Sequence, residues 1–215
     1  MKKVLLLVTL IFFLTGCVNI NDSSYENIIS SGLNESKIAF KNKTSQGYSY
    51  YLPKGLVVLE DLNNNVTLKS EKYNMYVYID LISYFNKIED SYKENTTSYY
   101  SKKIINDDKF GYLEINLREN DKYLIEIMYN YAKIEVIVNN KDIKEMLSYA
   151  ISLLSSISYN DKIIENMIGE DILNYNENEY NIFETASTDN SLIRRENSSL
   201  DDDNTNVIPD TDLIN

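Results

Sequence analysis

Three runs of strict two-residue alternation follow one another between residues 112 and 138, and they commit this chain to an antiparallel sheet. Leu113, Ile115 and Leu117 alternate with Tyr112, Glu114 and Asn116. Tyr123, Ile125, Ile127 and Tyr129 alternate with Leu124, Glu126 and Met128, and Ala132, Ile134, Val136 and Val138 with Lys133, Glu135 and Ile137. Successive side chains of a strand point to opposite faces, so each run sends its apolar set to one core. The breaks at Arg118–Lys122 and Asn130-Tyr131 are too short for crossovers, so the three strands form a meander. Tyr73, Met75, Val77 and Ile79 alternate in the same way with Asn74, Tyr76, Tyr78 and Asp80. Leu124, Met128 and Ile137 lie on the outward face and predict partial cover there. Glu114 and Glu126 are expected on its wet part.

After the meander the period changes. Ile143, Met146, Leu147, Ala150, Leu154 and Ile157 recur at spacings of three and four, with Asn140 or Asp142 placed to cap the first turn. So wide an apolar stripe needs a sheet to lie on. The predicted fold is therefore α+β: an antiparallel sheet with a long C-terminal helix, residues 143–157, packed on one face. Shorter strands are expected at Tyr48–Leu52, Leu56–Leu59 and Val66–Lys69. A short helix is expected near Tyr25–Ser30 within an otherwise polar tether, Leu81–Ile88 is helical or extended, Glu89–Ser101 is a surface loop, and Ile163–Ile168 is a second short amphipathic element. Tyr180–Phe183 reads as a docked edge strand.

The N-terminus carries a different signal. Lys2 and Lys3 precede an apolar run from Val4 to Phe13, followed by Leu14-Thr15-Gly16-Cys17, which holds the only cysteine. A basic start, a short apolar stretch and small residues before a cut form an export signal, and the run is shorter than the ~20 residues that span a bilayer. Leu14-Thr15-Gly16-Cys17 resembles the lipobox of bacterial lipoproteins. That resemblance implies cleavage after Gly16 and a diacylglyceryl group on Cys17, its acyl chains of the palmitate type. Two acyl chains anchor a protein stably where one does not. The expected location is the extracytoplasmic side of the cell membrane.

Composition narrows the function. The 215 residues carry a formal charge of −12, and loss of Lys2 and Lys3 with a signal peptide makes it −14. Such a chain is repelled by nucleic acid and by anionic lipid, so neither is an expected partner and membrane attachment rests on the lipid. The absence of histidine removes imidazole as general base and as metal ligand. No catalytic residue, metal ligand or cofactor is assigned. Asp201–Asp212 offers oxygen ligands, but without the glycine and terminal glutamate of a calcium loop it reads as a solvated tail. Glu114 and Glu126 face each other across the first hairpin like a glycosidase pair, yet such a pair needs a cleft. The nineteen tyrosines reflect either coding bias or a tyrosine-lined ligand surface.

Tyr50-Tyr51-Leu52-Pro53-Lys54-Gly55, leading into Leu56–Leu59, is similar to the opening of PsbP/Mog1-like domains, as is the order of antiparallel strands and then a helix. The resemblance covers residues 38–160, with Leu56 where the family has tryptophan. It implies a scaffold that serves many activities. The expected organisation is a signal peptide over 1–16, a lipidated tether over 17–37, one domain over 38–185 and a disordered acidic tail over 186–215. The expected function is a non-enzymatic binding or accessory protein, partnered by the membrane through Cys17 and by a cell-surface or membrane protein. The alternatives are a small-ligand (solute) binding lipoprotein and a histidine-free hydrolase.

Overall fold

The computed structural model describes residues 20–35, 40–62, 64–89 and 91–169. The lipobox, Tyr180–Phe183 and the acidic tail lie outside them. The fold is α+β, built on a seven-stranded antiparallel sheet. Its strands in chain order are β3 (Val57–Leu62), β4 (Asn65–Lys69), β5 (Asn74–Ile79), β6 (Tyr100–Asn106), β7 (Lys109–Leu117), β8 (Lys122–Tyr129) and β9 (Ala132–Asn139). They lie side by side as β3-β4-β5-β9-β8-β7-β6. A second sheet of three strands joins β1 (Lys43–Ser45), β2 (Tyr48–Tyr50) and β10 (Ser158–Tyr159), with β2 in the middle.

The alternation sorts the faces as the period of two requires. Leu113, Ile115, Ile125, Ile127, Ile134, Val136, Met75 and Val77 all enter one large buried cluster. That face is covered by helix α3 (Ile143–Ser156), which packs on β8 and β9. Its apolar stripe is wider than a sheet alone demands. Ile151 and Leu153 are buried too, because a further helix, α1 (Tyr25–Glu35), lies alongside. A side chain at Gly32 would place its first carbon 2.5 Å from Ile151 Cγ2, so glycine is what lets the two helices come this close.

Helix α1 extends the short helix expected near Tyr25–Ser30 and docks a segment expected to be a tether. Its sequence is polar and weakly patterned, yet Ile28 and Ile29 join the core, Tyr25 meets Tyr100 edge to face, and Glu26 accepts a 2.6 Å hydrogen bond from the Tyr100 hydroxyl. Folded structure therefore begins before residue 38. Two other expectations change. The strand β6 runs through Lys102 and Lys103, whose charges hide it. The helix over 143–156 does not end the fold: Ile157 turns to extended backbone, β10 follows, and α4 (Asp161–Gly169) stands at the short amphipathic element expected over Ile163–Ile168. Asp142 stands at its N-cap without bonding its own helix. Its carboxylate instead accepts from Lys72 Nζ at 3.2 Å and the Tyr73 hydroxyl at 2.6 Å, which hold its pKa below the ordinary carboxylate value. No helix among the described residues is long and apolar enough to cross a membrane.

Candidate functional site

The second face of the sheet is not wet where the carboxylates sit. Cross-strand register places Glu114 opposite Glu126, Glu126 opposite Glu135, and Glu135 opposite Tyr76. Glu114 and Glu126 are wholly buried and Glu135 nearly so, which overturns the solvent-facing position expected for the first two. Burial of carboxylates is tolerated only where hydrogen bonds or counter-charges replace water. Here the replacements are specific. Glu114 Oε1 accepts from Ser98 Oγ (2.9 Å), Asn116 Nδ2 (2.9 Å) and Asn95 Nδ2 (3.3 Å), and its Oε2 from the Tyr92 hydroxyl (2.9 Å). The Tyr112 hydroxyl donates to Glu126 Oε1 at 2.6 Å, and Lys133 Nζ stands 3.4 Å from Glu135 Oε1. Burial, the strongest influence on Glu135, pushes its pKa up to about 7. Lys133 opposes the rise, and Glu126 adds to it by charge and by hydrogen bonding.

This row closes a surface segment over the sheet. Tyr92 stacks on Tyr112 with ring centroids 4.1 Å apart, and three of the four donors to Glu114 come from residues 92–98. The loop expected over 89–101 is thus, over 91–99, a cover tied down chiefly by Glu114, with further bonds linking Tyr92 and Asn95 to Ser101 and Lys103 to Glu94. The cavity beside Glu135 and Lys133 measures about 30 Å³, room for water and not for a sugar ring. Glu114 and Glu126 are themselves wholly buried, so they do not open on the cleft that a glycosidase pair requires. Glu114→Gln is expected to turn an amide N–H₂ toward these donors, costing about 1–3 kcal/mol. Amide hydrogen exchange over 91–99 should rise while exchange in β8 and β9 changes less; unaltered protection of 91–99 would refute the anchoring role.

A different region is open. At one end of the large sheet, four separate segments surround a groove of about 750 Å³. They are α2 (Leu81–Phe85) with the residues after it, the β6–β7 hairpin, the β8–β9 turn, and the exit of α3 into β10. Its aromatic lining is continuous. Tyr84 stacks on Tyr159 at 3.9 Å, Tyr131 meets Tyr84 edge to face at 5.5 Å, and Phe110 meets Tyr131 at 5.1 Å. Lys87 Nζ lies 3.7 Å over the Tyr84 ring, a cation–π contact.

The rings are held from behind. The Tyr84 hydroxyl donates to Asp161 Oδ1 and the Tyr159 hydroxyl to the Asn130 carbonyl, both at 2.6 Å. Burial and the Asp161 bond push the Tyr84 pKa up, and burial does the same at Tyr131. The backbone is unusual here. Asn130 and Tyr131 have φ of 52° and 62°, the two left-handed residues of a tight primed hairpin turn. Asparagine tolerates that region, whereas tyrosine pays on the order of 1–2 kcal/mol. Asp107 and Lys87, with φ of 56° and 52°, also line the groove. Backbone strain of this kind concentrates at functional sites. The Tyr131 carbonyl accepts from Asp80 N–H at 2.8 Å, so the strained turn is tied to the start of α2.

The groove brings together tyrosines that no single motif displays, since they come from positions 84, 131 and 159. The only sequence signal was their abundance. Lys87, Lys103 and Lys109 face Glu89, Asp107 and Asp108 around it, so its formal charge cancels inside a protein of −12. No three acidic or cysteine side chains among the described residues are placed to hold a metal ion. The chain matches no protein-family model, and no curated protein is significantly similar to it.

Proposed function

We propose that this protein is a lipid-anchored, extracytoplasmic binding protein that takes a small or extended ligand in the tyrosine-lined groove. The single observation that carries the ligand reading is the concave aromatic lining of about 750 Å³, which lies within the ~300–1,000 Å³ common for ligand sites. The anchor reading rests on Leu14-Thr15-Gly16-Cys17 and the apolar run before it. The PsbP/Mog1-like reading of the scaffold rests on the meander followed by a helix, and it carries no activity of its own.

The anchor is tested by feeding cells an alkyne-tagged palmitate. The wild-type chain should incorporate the label and sediment with membranes, and Cys17→Ala should lose both. An unlabelled wild type would overturn the anchor, and equal labelling of Cys17→Ala would move it elsewhere. The binding reading is tested by titration at the groove, as follows.

A further inference from the structure

Resting on the groove as the binding site, we propose that its ligand is a neutral oligosaccharide chain. Three observations converge on that class. Tyr84 has Tyr159 stacked on one face and Lys87 over the other, so the half-buried rings of Tyr131 and Tyr159 are the ones left to offer aromatic surface, and pyranose rings present patches of C–H groups that stack on it. Three lysines and three carboxylates line the groove with the rings, so donors and acceptors are both abundant while net charge is absent. Hydroxyl groups, which donate and accept at once, use both kinds. A polyanion or polycation would find as much repulsion as attraction.

A peptide added as an extra strand is the main competitor, and the sheet edge beside the groove disfavours it. The outer strand there is β6, and the Lys103 N–H that such a peptide would use already donates to Glu94 Oε1 at 3.1 Å. Lys102 pairs with the same carboxylate at 3.6 Å. Strand addition needs free edge groups, and this edge is occupied by the segment over the second face. The turn that carries Tyr131 is already in its strained conformation, so the ring is presented before ligand arrives and little ordering is charged to binding.

The test is calorimetric titration of the full chain in detergent with cellohexaose, chitohexaose, maltohexaose and xylohexaose. Hexaalanine, hexalysine and hexaglutamate serve as probes of other classes. At least one hexaose is expected to bind more tightly than its disaccharide, with little change between low and high salt. Tyr131→Gly should weaken that binding about tenfold, the loss of one aromatic contact, and Tyr131→Phe should restore most of it. Glycine relieves the left-handed backbone, so the variant keeps the turn, and a cooperative melting transition verifies that it is folded. Tyr131-dependent binding of a peptide or charged probe, with no hexaose bound, would overturn the sugar class and leave the groove as the site. Binding of no probe, or hexaose binding that ignores Tyr131→Gly, would overturn both.

Discussion

Leu147→Asp is expected to leave the domain unfolded at room temperature. Leu147 is wholly buried on α3, in the layer between the helix and the sheet. Truncating such a leucine costs about 2–5 kcal/mol through lost burial and the cavity left behind. A carboxylate at that depth adds several more unless it is protonated or paired, and the total matches the ~5–15 kcal/mol that holds a typical domain together. Lys144→Asp, three positions earlier, is the contrast. The Lys144 ammonium donates to the Asn21 carbonyl at 2.6 Å on the surface. Its loss should stay within about 1 kcal/mol, partly offset because an acid in the first helical turn suits the helix dipole. Far-ultraviolet circular dichroism with urea titration separates the two. A cooperative transition for Leu147→Asp with a near-native midpoint would mean that α3 does not carry the core.

Lys133→Met is expected to destabilise the protein by about 3–5 kcal/mol at pH 8, the usual cost of stranding a buried charge, and by far less at pH 5. Lys133 and Glu135 have side chains only 3% and 4% exposed, and Glu126 lies beside them across the β8–β9 ladder. The sign follows from linkage. Glu135 titrates near 4.5 when free and at about 7 in the fold, so the folded state holds its proton more tightly. The stability this confers is fully present below pH 4.5 and is lost as pH rises through about 7, on the order of 3 kcal/mol in all. Without Lys133 the carboxylate is harder still to ionise, and the penalty grows in that same window. Glu135→Gln should flatten the slope between pH 4.5 and 7. Urea midpoints from pH 5 to 8 decide the matter: a penalty for Lys133→Met that is constant with pH would show that Glu135 is not the group being stranded. Asp142, lowered by Tyr73 and Lys72, acts in the opposite direction. Its contribution is present above about pH 4 and fades below, so the two effects fall in different windows.

The meander and the helix were legible because their information is local. Leu113 and Ile115, or Met146 and Ala150, face the core by virtue of strand and helix periods, whatever lies elsewhere in the chain. A short helix near Tyr25–Ser30 was legible, but its extent to Glu35 and its docking were not, because few of its residues are apolar and its partner Ile151 is more than a hundred positions away. Strand β6 was hidden because Lys102 and Lys103 interrupt the apolar alternation of an edge strand and imitate a loop. Glu114 and Glu126 read as solvated because a carboxylate in a sequence normally implies water. The burial of Glu114 depends on Tyr92, Asn95 and Ser98 folding back over the sheet, and the alternation within β7 says nothing about that.

What the sequence determined alone was the set of faces: which side chains of each strand and helix go together, and hence an α+β sheet with a helix upon it. Only the tertiary structure decided what each face meets. It turned the outward acids into a buried row and gathered Tyr84, Tyr131 and Tyr159 into one groove. The physical reason is range. Periodicity is set by backbone geometry between near neighbours, whereas desolvation and ring contacts arise between segments tens of residues apart, joined only when the sheet order β5-β9-β8-β7-β6 closes.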